Sequence, residues 1–344
     1  MNDNLQGILM GAVRAAAIFG GIMTLAPMLV MAERRICAAI QNRVGPNRVG
    51  PMGLLQPLAD VIKLLFKEEI IPDRADRTLF SLAPLLAFAP AAISFVAIPV
   101  GRDLQVADLN VGVLYVLAIT SLGVYGISVG GWASNSKYSL LGGIRSSAQI
   151  ISYEIAMGLA IVSVLMISGN VHLGSIVEWQ AENGWIIFYQ PLAFIIFLVA
   201  AFAENNRLPF DMAECESELV GGFHTEYTGM KFGMFFLGEY IAMIVMSALL
   251  VTLFLGGWDP VFFELPEGAA GTAISVLCFT VKLLAVLFLY IWVRWTLPRF
   301  RYDQLMKLGW KAFVPLALLN IVLTGIVVSL LTGCLLYTSP SPRD

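Results

Sequence analysis

Apolar residues in this chain come in long, nearly unbroken runs separated by short polar stretches. About eight runs approach the roughly 20 residues that a helix needs to cross a bilayer. They are Leu9–Met31, Leu79–Ile98, Val111–Trp132, Ser147–Ile167, Trp185–Ala203, Phe232–Leu255, Thr272–Trp292 and Phe313–Leu331. None alternates polar with apolar positions, and backbone groups in lipid must be hydrogen-bonded within their own segment, so each run predicts a helix. The predicted fold class is an all-α polytopic membrane protein with about eight transmembrane helices, forming one domain over residues 1–333. Charges rather than a small-residue cleavage site follow the first run, which therefore reads as a span and not a removable leader.

One segment has a different rhythm. In "GLLQPLADVIKLLFKEE", Gly53 to Glu69, the polar residues Gln56, Asp60, Lys63 and Lys67 recur every three or four positions. Leu54, Leu55, Leu58, Ile62 and Leu65 form the opposing apolar face. Too short and too charged to span, this segment predicts an amphipathic helix lying at the membrane interface. Before it, Gly45-Pro46 and Gly50-Pro51 in "QNRVGPNRVGP" predict a turn-rich connection. No internal repeat is evident, which gives little support to a transporter built from inverted halves.

Basic residues orient the bundle. Of 21 Lys and Arg, only Arg14, Arg102, Lys282 and Arg343 lie outside the loops after the first, third, fifth and seventh runs and the ends of the flanking runs. The positive-inside rule puts those loops in the cytoplasm and both termini outside. Composition agrees with a membrane protein: 58% hydrophobic and only 13% charged residues, where a soluble domain carries about 25% charged. A net charge of −3 argues against nucleic-acid binding. Cys37, Cys215, Cys278 and Cys334 show no CxxC or Cys/His spacing, and His172 and His224 stand far apart. Iron–sulfur, zinc or c-type haem chemistry of the chain's own is not expected. From Cys334 to Asp344 the composition turns abruptly to "CLLYTSPSPRD", an atypical tail resembling a translated sequencing adapter, and no function is assigned to it.

Charges inside spans carry the candidate chemistry. An ionised side chain at a helix centre costs about 2.5–3.5 kcal/mol on translocon scales and usually lines a polar path. Glu154, Glu239 and Lys282 fall within the fourth, sixth and seventh runs. They are read as a hydrated path for protons or a polar ligand in preference to a structural ion pair of Lys282 with Glu154 or Glu239. Acids are also concentrated between the fifth and sixth runs, in "AENNRLPFDMAECESELVGGFHTEY". Glu204, Asp211, Glu214, Glu216, Glu218 and Glu226 all fall there, in a chain with 24 acids in all. On a helix, Asp211, Glu214 and Glu218 share a face while Glu216 points elsewhere. Carboxylates this close share protons, a property suited to relaying a charge change. Interleaved Leu208, Phe210, Leu219, Val220 and Phe223 argue against the alternative of a merely solvated loop.

That stretch resembles the signature AETNR-x-PFD-x-x-EGESELVSGFN-x-EY of the H-subunit family of proton-pumping NADH:quinone oxidoreductase, respiratory complex I. Similarity extends to "ERRICAAIQNRVGPNRVGPMGLLQPLADVIKLLFKE", "GWASNSKYSLLGGIRSSAQIISYE" and "VRWTLPRFRYDQLMKLGWK", in order, and covers Met1 to Leu331. Asn205, Cys215, Gly221 and His224 depart from the family's Thr, Gly, Ser and Asn. Cys215 stands where a glycine permits a tight backbone.

The resemblance implies a component of a proton-translocating enzyme in the bacterial plasma membrane. Its partners would be peripheral-arm quinone-site subunits and antiporter-like membrane subunits. It would bind quinone (ubiquinone or menaquinone) as substrate and hold no metal or tightly bound cofactor, the redox centre lying in a neighbouring subunit. Carried over by position, Arg34, Arg43 and Asp60 fall near the entry of a quinone tunnel, Phe235 and Phe236 on its apolar wall, and Arg294 and Arg299 on its cytoplasmic rim. For Arg34 and Arg43, simple interfacial anchoring is an equal alternative. Asp211, Glu214, Glu216 and Glu218 resemble the loop beside the quinone cavity, and Glu154, Glu204, Glu226 and Glu239 the proton path. The equivalent component of a membrane-bound hydrogenase, formate hydrogenlyase or ferredoxin:quinone complex shares the acidic core, and a free-standing ion transporter is a third possibility.

Overall fold

A computed structural model describes residues 2–102, 104–214, 216–260, 266 and 268–331, with the side chains of residues 2–10, 216 and 217 excluded. Cys215, the tail from Cys334 and the side chain of Glu216 thus lie outside the described residues. In chain order the helices are α1 (Asn2–Ile40), α2 (Gln56–Phe66), α3 (Arg77–Ser94), α4 (Gly112–Ser121), α5 (Gly123–Ala133) and α6 (Lys137–Ser168). After them come α7 (Leu173–Asn183), α8 (Ile186–Tyr189), α9 (Pro191–Glu204), α10 (Glu216–Leu219), α11 (Gly229–Phe254), α12 (Ala269–Thr296), α13 (Tyr302–Lys307) and α14 (Val314–Leu331). A π-helical turn, Leu308–Phe313, joins the last two.

Among the described residues, 7 helices are long and apolar enough to cross a membrane, with α4–α5 and α13–α14 each forming one of them. The all-α polytopic expectation is met. The fifth apolar run differs from the others. Pro191 has no N–H to continue a helix and Gln190 takes a non-helical conformation, so the run breaks into α8 and α9. Only 14 residues remain in α9, about 21 Å of helix at 1.5 Å per residue. That is short of a hydrocarbon core of about 30 Å. Protein rather than lipid surrounds much of it: Ala193, Ile196, Phe197 and the whole of Ala200–Ala203 are buried.

Loop contacts show that α9 nonetheless crosses. At one end, Asp76 N donates to Ala133 O, Phe300 N to Pro209 O and Ile70 N to Thr228 Oγ1. These bonds tie together the loops after the first, third, fifth and seventh spans. At the other end, Val113 N donates to Val171 O, Arg102 N to Ser275 Oγ and Gly256 N to Gln180 Oε1. Loops alternate between the ends only if eight segments pass between them.

The most enclosed span is α11, buried without a break from Met243 to Phe254, and α6 and α9 pack with it in the main core. A second cluster joins Phe80, Ile127, Phe223, Tyr227 and Phe235 beneath the loop before α11. Close approach in that cluster needs Gly126: a Cβ there would lie 2.4 Å from Ala87 N. The predicted amphipathic helix is α2. It buries no residue, and Leu54, Leu55, Leu58, Ile62 and Leu65 remain exposed. Apolar side chains exposed in this way at a span's end suit an interface with lipid.

Candidate functional site

Local backbone chemistry sets the geometry where α9 ends. Asn206 takes a left-handed φ of 48°, a conformation that asparagine tolerates better than most residues. Its side chain accepts a hydrogen bond from Ser146 Oγ at 3.0 Å. Gln149 of α6 donates to the carbonyls of Ala203 and Phe210, both at 2.7 Å. Phe210 stacks on Phe300 across the end of the bundle. With the turn pinned on both sides, Arg207 points inward and is only 4% exposed.

Around Arg207 is a buried ionic cluster drawn from four elements. Glu33 of α1, only 5% exposed, binds Arg294 of α12 through Oε1. Its Oε2 accepts from Tyr240 OH of α11 at 2.7 Å and lies 3.7 Å from Arg207 Nη1. Arg207 Nη2 is 4.0 Å from Glu239 Oε2, and the guanidinium stacks 4.2 Å from the Tyr240 ring centre. Asp211, Glu214 and Arg294 lie within electrostatic reach of Glu239.

The acidic loop itself departs from expectation. Among the described residues, 205–214 form turns, and the helical pieces are the short α10 and a 3-10 turn at Gly222–His224. Pro209 removes a donor at the start. At the far end, Val220 is left-handed at φ 69° and Gly222 at φ 67°. A Cβ on Gly222 would lie 1.6 Å from Ala213 O. The single helical face predicted for Asp211, Glu214 and Glu218 therefore does not exist. Asp211 accepts from the Glu214 backbone N–H at 3.2 Å in a local turn. Glu218 instead turns outward to Arg145 at 2.6 Å, with half of its side chain exposed. Burial, and next the charge of Glu214, raise the Asp211 carboxyl above its ordinary value, opposed by the Glu214 N–H, Arg299 and Arg294.

A small cavity of about 70 Å³ lies next to this cluster, between α3, α5, α6 and α11. Glu204, Asn205 and Glu239 line it on one side and Phe223 and Phe235 on another. Glu204 Oε2 and Asn205 Oδ1 are buried without a hydrogen-bond partner among the described residues. The space is large enough to hold water. Glu154, half-buried on α6, is within electrostatic reach of Glu204. Glu226 is half-buried in the turn before α11.

The remaining predicted residues are dispersed. Arg34 and Asp60 pair at 2.7 Å and join α1 to α2. Arg43 bonds Gln41 Oε1 and contacts Cys37 Sγ. The two adjacent phenylalanines diverge, Phe236 packing on Tyr240 and Phe235 on Phe223 and Tyr227. Lys282 is at the opposite end from the acidic cluster and reaches neither Glu154 nor Glu239. Its Nζ donates to the carbonyls of Leu255, Gly257 and Asp259 at 2.7–3.0 Å and lies over the Trp185 ring. A cation on these carbonyls complements the C-terminal dipole of α11.

Sequence reasoning missed Glu33, Arg207 and Tyr240 as site residues. A signal for Glu33 exists: apolar residues resume after "ERR" as Ile36, Cys37, Ala38, Ala39 and Ile40, so the helix runs on and carries Glu33 within it. Among the described residues no group of three or more His, Cys, Asp or Glu is placed to hold a metal ion.

Residues 13–325 match the family described as NADH dehydrogenase. The second of the NADH-quinone oxidoreductase H subunits of Geobacter sulfurreducens is 55% identical over 337 residues, 95% of this chain and 99% of that protein. NADH-quinone oxidoreductase subunit 8 of Rhodothermus marinus is 51% identical, over 93% of this chain and 97% of its own. For the first H subunit of the Cytophaga hutchinsonii enzyme the identity is 48%, over 96% and 100%. With matches of this extent, and a buried acid–arginine cluster at one end of an all-helical membrane bundle, the chain belongs to the H-subunit family of NADH-quinone oxidoreductase.

Proposed function

We propose that this complex I membrane protein provides much of the path by which quinone reaches its reduction site, and couples that reduction to proton translocation. The chain's own residues would position and relay, while a neighbouring subunit supplies the electrons. Arg34, Asp60 and Arg43 would flank the entry, Phe236 would offer apolar wall, and Arg294 and Arg299 would edge the inner end. The end carrying these residues would face the cytoplasm of a bacterial plasma membrane, following its concentration of Lys and Arg.

One observation carries the coupling proposal. The Glu33–Arg207–Glu239 cluster lies beside a cavity that Glu239 shares with Glu204. Charge on the α1–α12 side is thereby in contact with buried carboxylates inside the membrane domain. Reducing a quinone to a quinol takes up two electrons and two protons and changes the charge balance next to this cluster. Asp211, Glu214, Glu216 and Glu218 would transmit that change, and Glu239, Glu204, Glu154 and Glu226 would hand protons toward antiporter-like partners.

The test uses Asp211→Asn in the assembled complex in membrane vesicles. The amide keeps an oxygen to accept from the Glu214 N–H but loses the charge. NADH oxidation by a quinone acceptor and proton uptake should fall together by about tenfold. NADH oxidation by soluble ferricyanide, which bypasses the quinone site, should persist. Wild-type rates of both quinone reduction and pumping would reduce the loop to a solvated connection.

A further inference from the structure

We propose that Arg207 is a mobile counter-charge shared between Glu33 and Glu239, its position deciding which of the two carboxylates is favoured as the anion. This rests on the proton-route reading of Glu239 given above and adds the residue that would control it.

The geometry is that of a cation bound fully to neither acid. Charge-assisted N–H···O bonds lie at about 2.7–2.9 Å, whereas Arg207 stands 3.7 Å from Glu33 and 4.0 Å from Glu239. Its Nε and Nη2 are buried with no hydrogen-bond partner among the described residues. A guanidinium offers five N–H donors, and buried donors left unpaired are uncommon enough to need a reason. A small movement toward either acid would satisfy them.

The surroundings permit that movement. Glu33 does not depend on Arg207, because Arg294 holds its Oε1 and Tyr240 OH its Oε2. The Tyr240 ring provides a flat surface 4.2 Å from the guanidinium along which it can slide without losing the stacking contact. The Arg207 backbone meanwhile is anchored by the turn that Gln149 and Ser146 hold, so motion is confined to the side chain. Groups facing Glu239 are Arg207, Asp211 and Glu214 from the loop and Arg294 from α12, with Glu204 across the cavity. Of the two cations facing Glu239, Arg294 is held by Glu33, whereas Arg207 stands beyond bonding distance of both acids. Drawn to Glu239, it favours the carboxylate and so proton release. Drawn to Glu33, it leaves Glu239 to hold a proton.

The experiment compares Arg207→Gln, Glu33→Gln and Arg207→Lys in the assembled complex in vesicles. Quinone reductase turnover and protons moved per electron are read across a pH series. Without the cation, Arg207→Gln should move the midpoint of the rising limb upward by about one pH unit, a tenfold change in the protonation equilibrium, and lower the protons per electron. Without the competing acid, Glu33→Gln should move the midpoint the opposite way. Arg207→Lys, which keeps the charge, should return the midpoint toward wild type. Unmoved midpoints, or shifts of both neutral variants in one direction, overturn the proposal. If Arg207→Gln fails to assemble, the Glu33→Gln shift decides alone. Glu239→Gln separates the two levels: full pumping in that variant sinks the proton route itself, whereas lost pumping with unmoved midpoints in the others sinks only the role of Arg207.

Discussion

Each end of the bundle draws a cation inward, Arg207 buried and Lys282 half-buried, and the two are treated in opposite ways. Lys282 presents three donors and finds three backbone carbonyls, those of Leu255, Gly257 and Asp259, with Trp185 beneath. Arg207 has more donors, two acids just beyond bonding distance and two nitrogens without partners. A satisfied buried charge fixes structure, because any displacement costs bonds. An under-bonded one has somewhere to go. From sequence alone Lys282 looks like the more functional residue, being the lone cation in the middle of an apolar run. In the structure it is Lys282 that is bonded on every side and Arg207 that is not.

The contrast can be broken most severely at Glu33. Glu33→Ala removes one partner of a buried pair and leaves Arg294 uncompensated, an expected loss of about 3–5 kcal/mol. A fall in the melting temperature of the solubilised complex, or failure to assemble, would register it. A wild-type melt would mean that water already compensates the cluster. Next comes Lys282→Met, which strands the carbonyls at the C-terminal end of α11 and should cost about 1–3 kcal/mol. Thermal stability should drop while protons per electron stay at the wild-type ratio. A stable but uncoupled complex would restore Lys282 to the proton path and erase the contrast.

A smaller effect is expected at Asp211. Its carboxyl titrates above its ordinary value of 3.8, chiefly because it is buried. The folded form therefore favours the proton, and the stabilisation is present below that value and lost as pH rises through the raised one. Local protection of loop amides from hydrogen exchange should decline with rising pH in the wild type. In Asp211→Asn that slope should flatten, and an identical slope would assign the titration to another group. The smallest effect belongs to Arg34 and Asp60, which pair at 2.7 Å but with side chains 45% and 34% exposed. A double-mutant cycle should give a coupling of about 0–1 kcal/mol. A coupling several times larger would show that the pair is covered in the assembled complex.

Spans were legible because a bilayer demands length and apolarity, both one-dimensional properties. Seven of the predicted runs appear as long helices, and the interfacial helix falls where its three-and-four spacing places it. The fifth run crosses but not as one helix, because its hydropathy continues across Gln190-Pro191, where helical backbone cannot. The acidic stretch was recognisable as a candidate site, but its shape was not. Its acids have helical spacing, but Pro209, Asn206 and Gly222 hold the segment in turns. By sequence alone Arg207 is one basic loop residue among many. Its importance lies in Glu33 and Glu239, far away in sequence, and local patterns carry no record of such encounters.

The brevity of α9 has an electrical consequence. A membrane is an insulator, and the voltage across it falls over whatever low-dielectric thickness separates the two aqueous phases. Glu204 closes a helix of about 21 Å, roughly two-thirds of the usual hydrocarbon depth of about 30 Å, and opens onto a cavity with unpaired oxygens. Where polar groups and water reach inward, the insulator is thinner and the field across what remains is steeper. Moving one charge through the full potential costs about 2.3 kcal/mol per 100 mV. On the proposed route, a proton held at Glu204 would already have passed part of that drop, so a protein that shortens one helix would shorten the climb.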